Sequence, residues 1–152
     1  MDTTVAQTQK TNNLLTYRQT AKKMTTKEII QSFQEALGKG DIPKAFSFFA
    51  PDAKWHQPGS NRFSGTKNNP DEIVAMFTGM MADTKGSFVV KPNGALMVNG
   101  NLVASPVRFS GTDGSKSINM TGVDLFEVTE GRITQVWLFS DDQQMEDEFW
   151  EK

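Results

Sequence analysis

The sequence predicts a single α+β domain in which helices come first and an antiparallel sheet follows. Apolar residues recur at helical spacing in the first half of the chain, and short β-rich runs separated by turn residues fill it from Gly86 onward. The 152 residues include 37% hydrophobic side chains, which is enough for one core and argues against a second domain. We therefore expect the helices to pack on one face of a curved sheet.

Residues 1–23 are predicted to form a flexible tail. This segment is rich in Thr, Gln, Asn and Lys, and its apolar content is a short cluster of Leu14, Leu15 and Tyr17. Such a composition cannot bury enough surface to offset the entropy of ordering the chain. The alternative is an ordered arm that docks on the domain or on a partner subunit. The folded domain is expected to span residues 24–152.

Three helices are predicted before the main run of strands. The first begins at a capping box formed by Thr25 and Glu28 and ends in the glycine-containing stretch 38–40. Asp41 caps a short second helix, which should be largely buried, and Asn69 caps the third. The third helix carries an apolar stripe, which must lie against a sheet: Ile73, Met76, Phe77, Met80 and Met81.

The remaining elements are predicted strands joined by Gly, Asn and Pro turns, as in antiparallel hairpins. One strand, 52–57, precedes the third helix, and the others follow it at 87–91, 95–98, 102–109, 118–128 and 132–139. Both faces of the last two strands are apolar. One face should cover the helices, and the other should meet a pocket, a second subunit or both.

Composition excludes several classes of protein. A formal net charge of −2 gives no positive field for nucleic acid. The absence of cysteine removes disulfides, thiolate nucleophiles and cysteine-ligated metals. No apolar run is long enough to cross a membrane, and the N-terminus lacks the apolar region of a secretory signal, so we expect a soluble cytoplasmic protein.

Two groups of motifs carry a resemblance to a known family. The first is WHQPG at 55–59, followed by FSG at 63–65. The second is GVDLFEV at 122–128, followed by GRI at 131–133 and Trp137. Together with the order of elements, these resemble the SnoaL-like polyketide cyclases of the nuclear transport factor 2-like superfamily, which also hosts ketosteroid isomerases, limonene epoxide hydrolases and scytalone dehydratase.

The resemblance covers roughly residues 24–142 and implies a fold and a site. The implied fold is a cone of the cystatin-like type, with three N-terminal helices packed on a curved, mostly antiparallel mixed sheet. Asp124 matches the acid/base aspartate of the cyclases' aldol condensation. In an apolar wall its pKa would rise toward working pH, so that it could take a proton from a carbon next to a carbonyl. This chemistry needs no cofactor and no metal, and none is expected.

The alternative for Asp124 is a carboxylate that points to solvent or pairs with Arg108 or Arg132. His56, the single histidine, is either a proton-carrying helper or a hydrogen-bonded residue at the pocket mouth. No second carboxylate can be assigned, and the terminal segment 143–150 is either a short helix with a solvated acidic face or a lid over the pocket. The residues expected to contact a ligand are Trp55, Phe77, Arg108, Met120 and Trp137.

Ketosteroid isomerase chemistry is disfavoured, because the only tyrosine, Tyr17, lies in the tail. The leading hypothesis is a cofactor-independent cyclase, isomerase or lyase that acts on a small hydrophobic carbonyl compound. The alternative is a non-catalytic ligand-binding or dimeric scaffold protein of the same fold. A third is an interaction protein that holds a partner on its sheet or N-terminal arm. A homodimer through the sheet face is expected under the first two hypotheses, since a sheet with two apolar faces needs cover.

Overall fold

The structure is a computed structural model that describes residues 23–152. Nearly all of the predicted tail, including the Leu14, Leu15 and Tyr17 cluster, lies outside the described residues. The choice between a tail and an arm therefore stays a prediction.

Four helices lie in the described part of the chain: α1 Thr26–Gly38, α2 Ile42–Phe46, α3 Pro70–Asp83 and α4 Gln143–Trp150. The capping box of α1 is confirmed, since Glu28 N donates to Thr25 Oγ1 at 3.1 Å and Thr25 N donates to Glu28 Oε1 at 3.2 Å. Asn69 caps α3 by accepting from the Glu72 backbone at 2.9 Å. Local side-chain hydrogen bonds thus fix where these helices begin.

The second helix is less buried than the sequence suggested. Within α2 only Ala45 is buried, and Ile42 is 38% exposed. Phe46 instead stacks on Phe49 with ring centroids 5.0 Å apart. A helix of five residues turns too little of its surface inward to be largely buried, so that expectation was wrong.

Seven strands form one sheet: β1 Phe49–Gln57, β2 Gly65–Lys67, β3 Val89–Pro92, β4 Met97–Asn99, β5 Leu102–Thr112, β6 Ser117–Thr129 and β7 Arg132–Ser140. The order is β2-β1-β7-β6-β5-β3, with β4 also paired to β5. The β1–β7 pair is parallel and the others are antiparallel. The sheet is therefore mixed and mostly antiparallel, and the α+β class is confirmed.

The predicted order, in which one main strand precedes the third helix, is confirmed: α1 and α2 precede β1, α3 lies between β2 and β3, and α4 ends the domain. The packing of the first three helices as a cone stays a prediction. The short strand β2 was missed because it has only three residues, one of them glycine, and its pairing with β1 holds it in place. None of the helices in residues 23–152 has the length and apolar character needed to cross a membrane.

The core lies between the helices and one face of the sheet, which we call the inner face. Phe33 of α1 meets Phe49 of β1 and Phe126 of β6, with ring centroids 5.3 and 5.8 Å away. On β6 the inner-face residues include Met120, Asp124 and Phe126, all of them buried. The intervening residues point to the opposite, outer face, because successive strand residues alternate.

Candidate functional site

A cavity opens between the inner face and helices α1, α3 and α4. The cavity has a volume of about 50 Å³ and is open to solvent on one side. Seven aromatic residues contribute to its walls: Phe33, Trp55, Phe77, Phe88, Phe109, Phe139 and Trp150. Walls of this kind suit a small hydrophobic ligand, for which a few polar groups then determine the orientation. We refer to this space as the inner pocket.

Asp124 is a polar residue of the inner-pocket wall. Its position on β6 places it on the same face as Phe126, and it is only 9% exposed. Its carboxyl group makes no hydrogen bond or ion pair with any residue in 23–152. Every fully buried side-chain nitrogen or oxygen atom in that range has a hydrogen-bond partner. Since the Asp124 oxygens have none, they are not fully buried and remain accessible from the pocket.

The surroundings of Asp124 keep its carboxyl group partly protonated. Burial, with a smaller contribution from the negative charge of Glu146, raises the pKa of Asp124 to about 7. Loss of hydration disfavours the ionised form, and no described cation compensates for it. Near neutral pH the group is therefore present in both forms, which suits it to accept and to return a proton.

Glu146 is a second carboxyl group in the inner pocket. It lies on α4, is 4% exposed, and accepts hydrogen bonds from Ser140 Oγ at 3.0 Å and Gln143 Nε2 at 3.2 Å. The pKa of Glu146 is raised overall, because the effect of burial is larger than the lowering by these two hydrogen bonds. Glu146 was not among the residues predicted from the sequence. Its signal was the spacing to Phe149 and Trp150, which puts Glu146 on the apolar face of the helix.

Gln57 gives the pocket a hydrogen-bond donor. The Trp55 indole Nε1 donates to Gln57 Oε1 at 2.9 Å. Since an indole nitrogen can only donate, the Gln57 oxygen is held by Trp55 and the amide nitrogen remains available to a ligand. Gln57 is 8% exposed and lines the pocket. This donor was also missed, although its place two residues after Trp55 on one strand put both side chains on one face.

His56 and Trp137 lie on the outer face and not in the pocket. The two rings stack with centroids 5.3 Å apart and an interplanar angle of 14°. The His56 Nε2 atom lies 2.9 Å from Gln135 Oε1, and its Nδ1 atom lies 3.1 Å from Thr66 Oγ1. Strand alternation separates His56 from Trp55, so His56 and Asp124 lie on opposite faces of the sheet.

Two further residues are placed differently from the expectation. Arg108 is exposed on the outer face, where it donates to Asn119 Oδ1 at 2.9 Å, and it does not pair with Asp124. Met120 is 4% exposed in the core but does not line the inner pocket. Of the five expected ligand contacts, the structure brings only Trp55 and Phe77 to the pocket beside Asp124.

Helix α4 is fastened over the pocket by Asp147. Its carboxylate accepts hydrogen bonds from Ser60 N at 3.1 Å, Asn61 Nδ2 at 2.8 Å and Gln143 Nε2 at 3.0 Å. A Cβ atom on Gly59 would lie 2.1 Å from Asp147 Oδ1, so this contact requires glycine. Helix α4 is a short terminal helix with one exposed face, which includes Glu148, and with its other face docked as a wall of the pocket. Residues 23–152 contain no cluster of three or more His, Asp or Glu side chains suited to a metal ion.

The comparisons with known proteins agree with this architecture. The model of the SnoaL-like domain family matches residues 30–136. A protein of unknown function with a cystatin-like fold from Xanthomonas campestris is 36% identical, and the alignment covers 85% of this chain and 100% of that one with a TM-score of 0.80.

Two more distant structures show the same fold. TerC, co-crystallised with polyporic acid, is 18% identical over 84% of this chain and 98% of its own, with a TM-score of 0.72. IdmH, a candidate polyketide cyclase from Streptomyces antibioticus, is 23% identical over 78% of this chain and 93% of its own, with a TM-score of 0.63.

Proposed function

The chain belongs to the SnoaL-like domain family, and on that premise we propose that it binds a small hydrophobic carbonyl compound in the inner pocket. In this proposal Asp124 moves a proton at the carbon next to the carbonyl group. The reaction class is that of a cofactor-independent cyclase, isomerase or lyase. The observation that carries the proposal is the buried, unpaired Asp124 carboxyl with its raised pKa.

The chemistry follows from the groups around the pocket. The ionised Asp124 carboxylate takes a proton from the carbon, and the electron pair of that C–H bond moves toward the carbonyl oxygen to form an enolate. The free amide N–H of Gln57 is a hydrogen-bond donor for this oxygen, where negative charge develops. The protonated Asp124 then returns its proton to another carbon, to a leaving group or to the oxygen formed on ring closure.

Two features favour Asp124 over a purely structural carboxylate. A structural aspartate is normally paired with a cation or with several N–H groups, whereas Asp124 has neither among the described residues. The groups beside it are mostly apolar, so its proton affinity is set by burial and not by an ion pair. TerC, of the same fold, has been crystallised with polyporic acid, which supports an organic ligand for the pocket.

The experiment is deuterium incorporation into aryl ketones dissolved in D₂O, followed by proton NMR. We expect the protein to accelerate exchange at the carbon next to the carbonyl of a ketone that binds in the pocket. Asp124→Asn should lower the catalysed rate by about 10²-fold or more, the usual contribution of a general acid/base. His56→Gln is the matched control and should retain the rate.

The rival is a pocket that binds ligands without chemistry. No His or Tyr side chain lines the inner pocket, so Asp124 has fewer helpers than first expected. If ketones bind equally well to the native protein and to Asp124→Asn, and exchange no faster with one than with the other, the ligand-binding alternative holds and the catalytic proposal is wrong.

We further propose that a second copy of the chain covers the outer face. Val123 and Leu125 are half-buried there beside Trp137, and Phe139 is 56% exposed. A contiguous apolar surface across neighbouring strands is uncommon on a monomer, and one patch can pair with itself about a two-fold axis. Light scattering should give a dimer mass that falls to the monomer mass in Phe139→Lys. A native monomer at micromolar concentration would contradict this.

A further inference from the structure

We infer that the inner pocket selects its ligand by charge: Asp124 and Glu146 act as a pair of carboxyl groups that admits neutral and cationic hydrophobic ligands and rejects carboxylates. Glu146 is the specificity-determining member of this pair. The inference uses the ligand pocket of the proposed function but does not depend on any chemistry taking place there.

The ionisable groups that line the inner pocket are all carboxyls. Asp124 comes from β6 and Glu146 from α4, so two separate elements bring them to one space. No Lys, Arg or His side chain lines that space. The three ion pairs among residues 23–152 lie elsewhere and involve neither carboxyl. An anionic ligand would therefore meet negative charge without a compensating cation.

The charged groups outside the pocket walls do not cancel the negative charge of Asp124 and Glu146. Lys91 lines a smaller cavity that also includes Asp124 in its wall, but the Lys91 side chain is exposed to water. The positive charge of Arg108 lies near Asp141, on the outer side of the sheet, and helps to lower the pKa of Asp141. Next to Glu146, the further carboxylate of Asp147 adds negative charge and raises the pKa of Glu146. Water screens the exposed groups more than the buried pair.

The two carboxyls have different hydrogen-bonding environments, which assigns them different roles. Ser140 and Gln143 both donate to Glu146, and donors of this kind favour the ionised form. Asp124 has no such donor among the described residues. Glu146 is thus the member whose ionised form has hydrogen-bond donors, and its negative charge raises the pKa of Asp124. A neutral Asp124 can donate to a ligand carbonyl, whereas a ligand carboxylate would face the charge of Glu146.

The aromatic walls of the inner pocket also suit a cationic ligand. Ring faces such as those of Trp55, Phe77 and Trp150 attract a cation electrostatically, and the carboxyl pair can accept the N–H groups of an ammonium ion. A hydrophobic amine is therefore not excluded from the pocket by its charge, in contrast to a carboxylate of the same size.

The test uses three single-ring probes of similar size: acetophenone, benzylamine in its protonated form and benzoate. Each is titrated at pH 7 into the ¹⁵N-labelled full chain, and binding is read from shifts of the pocket resonances. We expect acetophenone and benzylamine to bind and benzoate to bind at least about tenfold more weakly, a factor that corresponds to about 1.4 kcal/mol.

Glu146→Gln keeps the shape of the side chain and removes its charge. We expect benzoate to bind at least fivefold more tightly to this variant, while acetophenone binding changes less than twofold. Glu148→Gln, on the exposed side of the same helix, is the matched control and should leave all three affinities unchanged. The ¹H–¹⁵N spectrum of each variant shows directly whether the fold is retained.

A pH series separates charge selection from a change of shape. In the native protein the preference for acetophenone over benzoate should grow as the pH rises from 6 to 8, because the pair loses its remaining proton in that range. In Glu146→Gln this growth should be smaller. Benzoate that binds native protein as tightly as acetophenone, or a preference that Glu146→Gln leaves unchanged, would overturn the inference.

The results also separate this inference from the proposed reaction. Acetophenone that binds without deuterium exchange would remove the proposed chemistry and leave charge selection standing. Exchange together with equal binding of benzoate would support the chemistry and overturn charge selection. If none of the three probes shifts the pocket resonances, both proposals are wrong.

Discussion

Asp124 on the inner face of the sheet differs in its hydrogen bonding from His56 and Glu127 on the outer face. On the outer face His56 contacts Thr66 and Gln135, and Glu127 accepts a hydrogen bond from Thr134 at 2.7 Å. On the inner face Asp124 is buried with no such partner among the described residues. Native proteins rarely leave a buried polar group unpaired, because its desolvation is then uncompensated. The difference places the candidate chemistry on the inner face, where the structure tolerates a destabilising group.

The largest expected difference between the faces concerns packing. Phe126 is 1% exposed on the inner face, and its neighbour Leu125 is half-buried on the outer face. Phe126→Ala should lower the free energy of unfolding by about 3 to 5 kcal/mol, because it opens a cavity in the core. Leu125→Ala should cost less than about 1 kcal/mol for an isolated chain.

Urea unfolding of both variants at several protein concentrations checks this contrast. If a second copy covers the outer face, the loss in Leu125→Ala should depend on protein concentration, whereas the loss in Phe126→Ala should remain the larger. Equal losses at every concentration would mean that the two faces are buried to the same extent and would break the comparison.

The second expected effect is the pH dependence of stability caused by Asp124. In the unfolded chain its pKa is near the ordinary aspartate value of 3.8, and in the folded protein it is about 7. Below pH 3.8 both states hold the proton and the group has no effect. As the pH rises from about 4 to 7, the unfolded chain ionises first, so the folded state loses up to about 4 kcal/mol of relative stability.

Asp124→Asn cannot ionise and should escape this loss. The variant should unfold roughly 10 °C above the native protein at pH 8, and the two should converge near pH 4, since about 2 to 4 °C corresponds to 1 kcal/mol in a domain of this size. Thermal unfolding at the two pH values measures the difference. Parallel pH profiles would show that Asp124 ionises as freely in the folded state as in the unfolded chain.

The smallest expected effect belongs to His56 on the outer face. His56→Gln should change the free energy of unfolding by no more than about 1 kcal/mol, the usual net contribution of the hydrogen bonds it makes. Binding of acetophenone in the inner pocket should stay within twofold of the native value. If His56→Gln lost as much acetophenone binding as a variant of a pocket-lining residue, His56 would have to be counted among the residues of the site.

Much of the fold could be predicted because its signals are local. The capping box at Thr25 and the cap at Asn69 set helix starts, and alternation along residues 118–128 put Asp124 on one face with Phe126. The same alternation separates neighbouring positions on β1, so Trp55 and His56 could have been assigned to opposite faces from the sequence alone.

The rest of the site depends on tertiary contacts that no local pattern contains. Glu146 enters the pocket because Asp147 fastens α4 to the loop at Ser60 and Asn61, far away in the chain. The separation of Arg108 from Asp124 follows from the register of β5 and β6, in which Arg108 pairs with Thr121. Neither the docking of α4 nor the register of β5 with β6 can be predicted without the tertiary structure.

The most direct test is the pKa of Asp124, measured by NMR titration of protein carrying ¹³C-labelled aspartate, with Asp124→Asn assigning the resonance. We expect a midpoint near 7, which falls in Glu146→Gln because the neighbouring negative charge is removed. A midpoint near 3.8 in the folded protein would mean that Asp124 is an ordinary hydrated carboxylate, and the acid/base pocket on the inner face would be refuted.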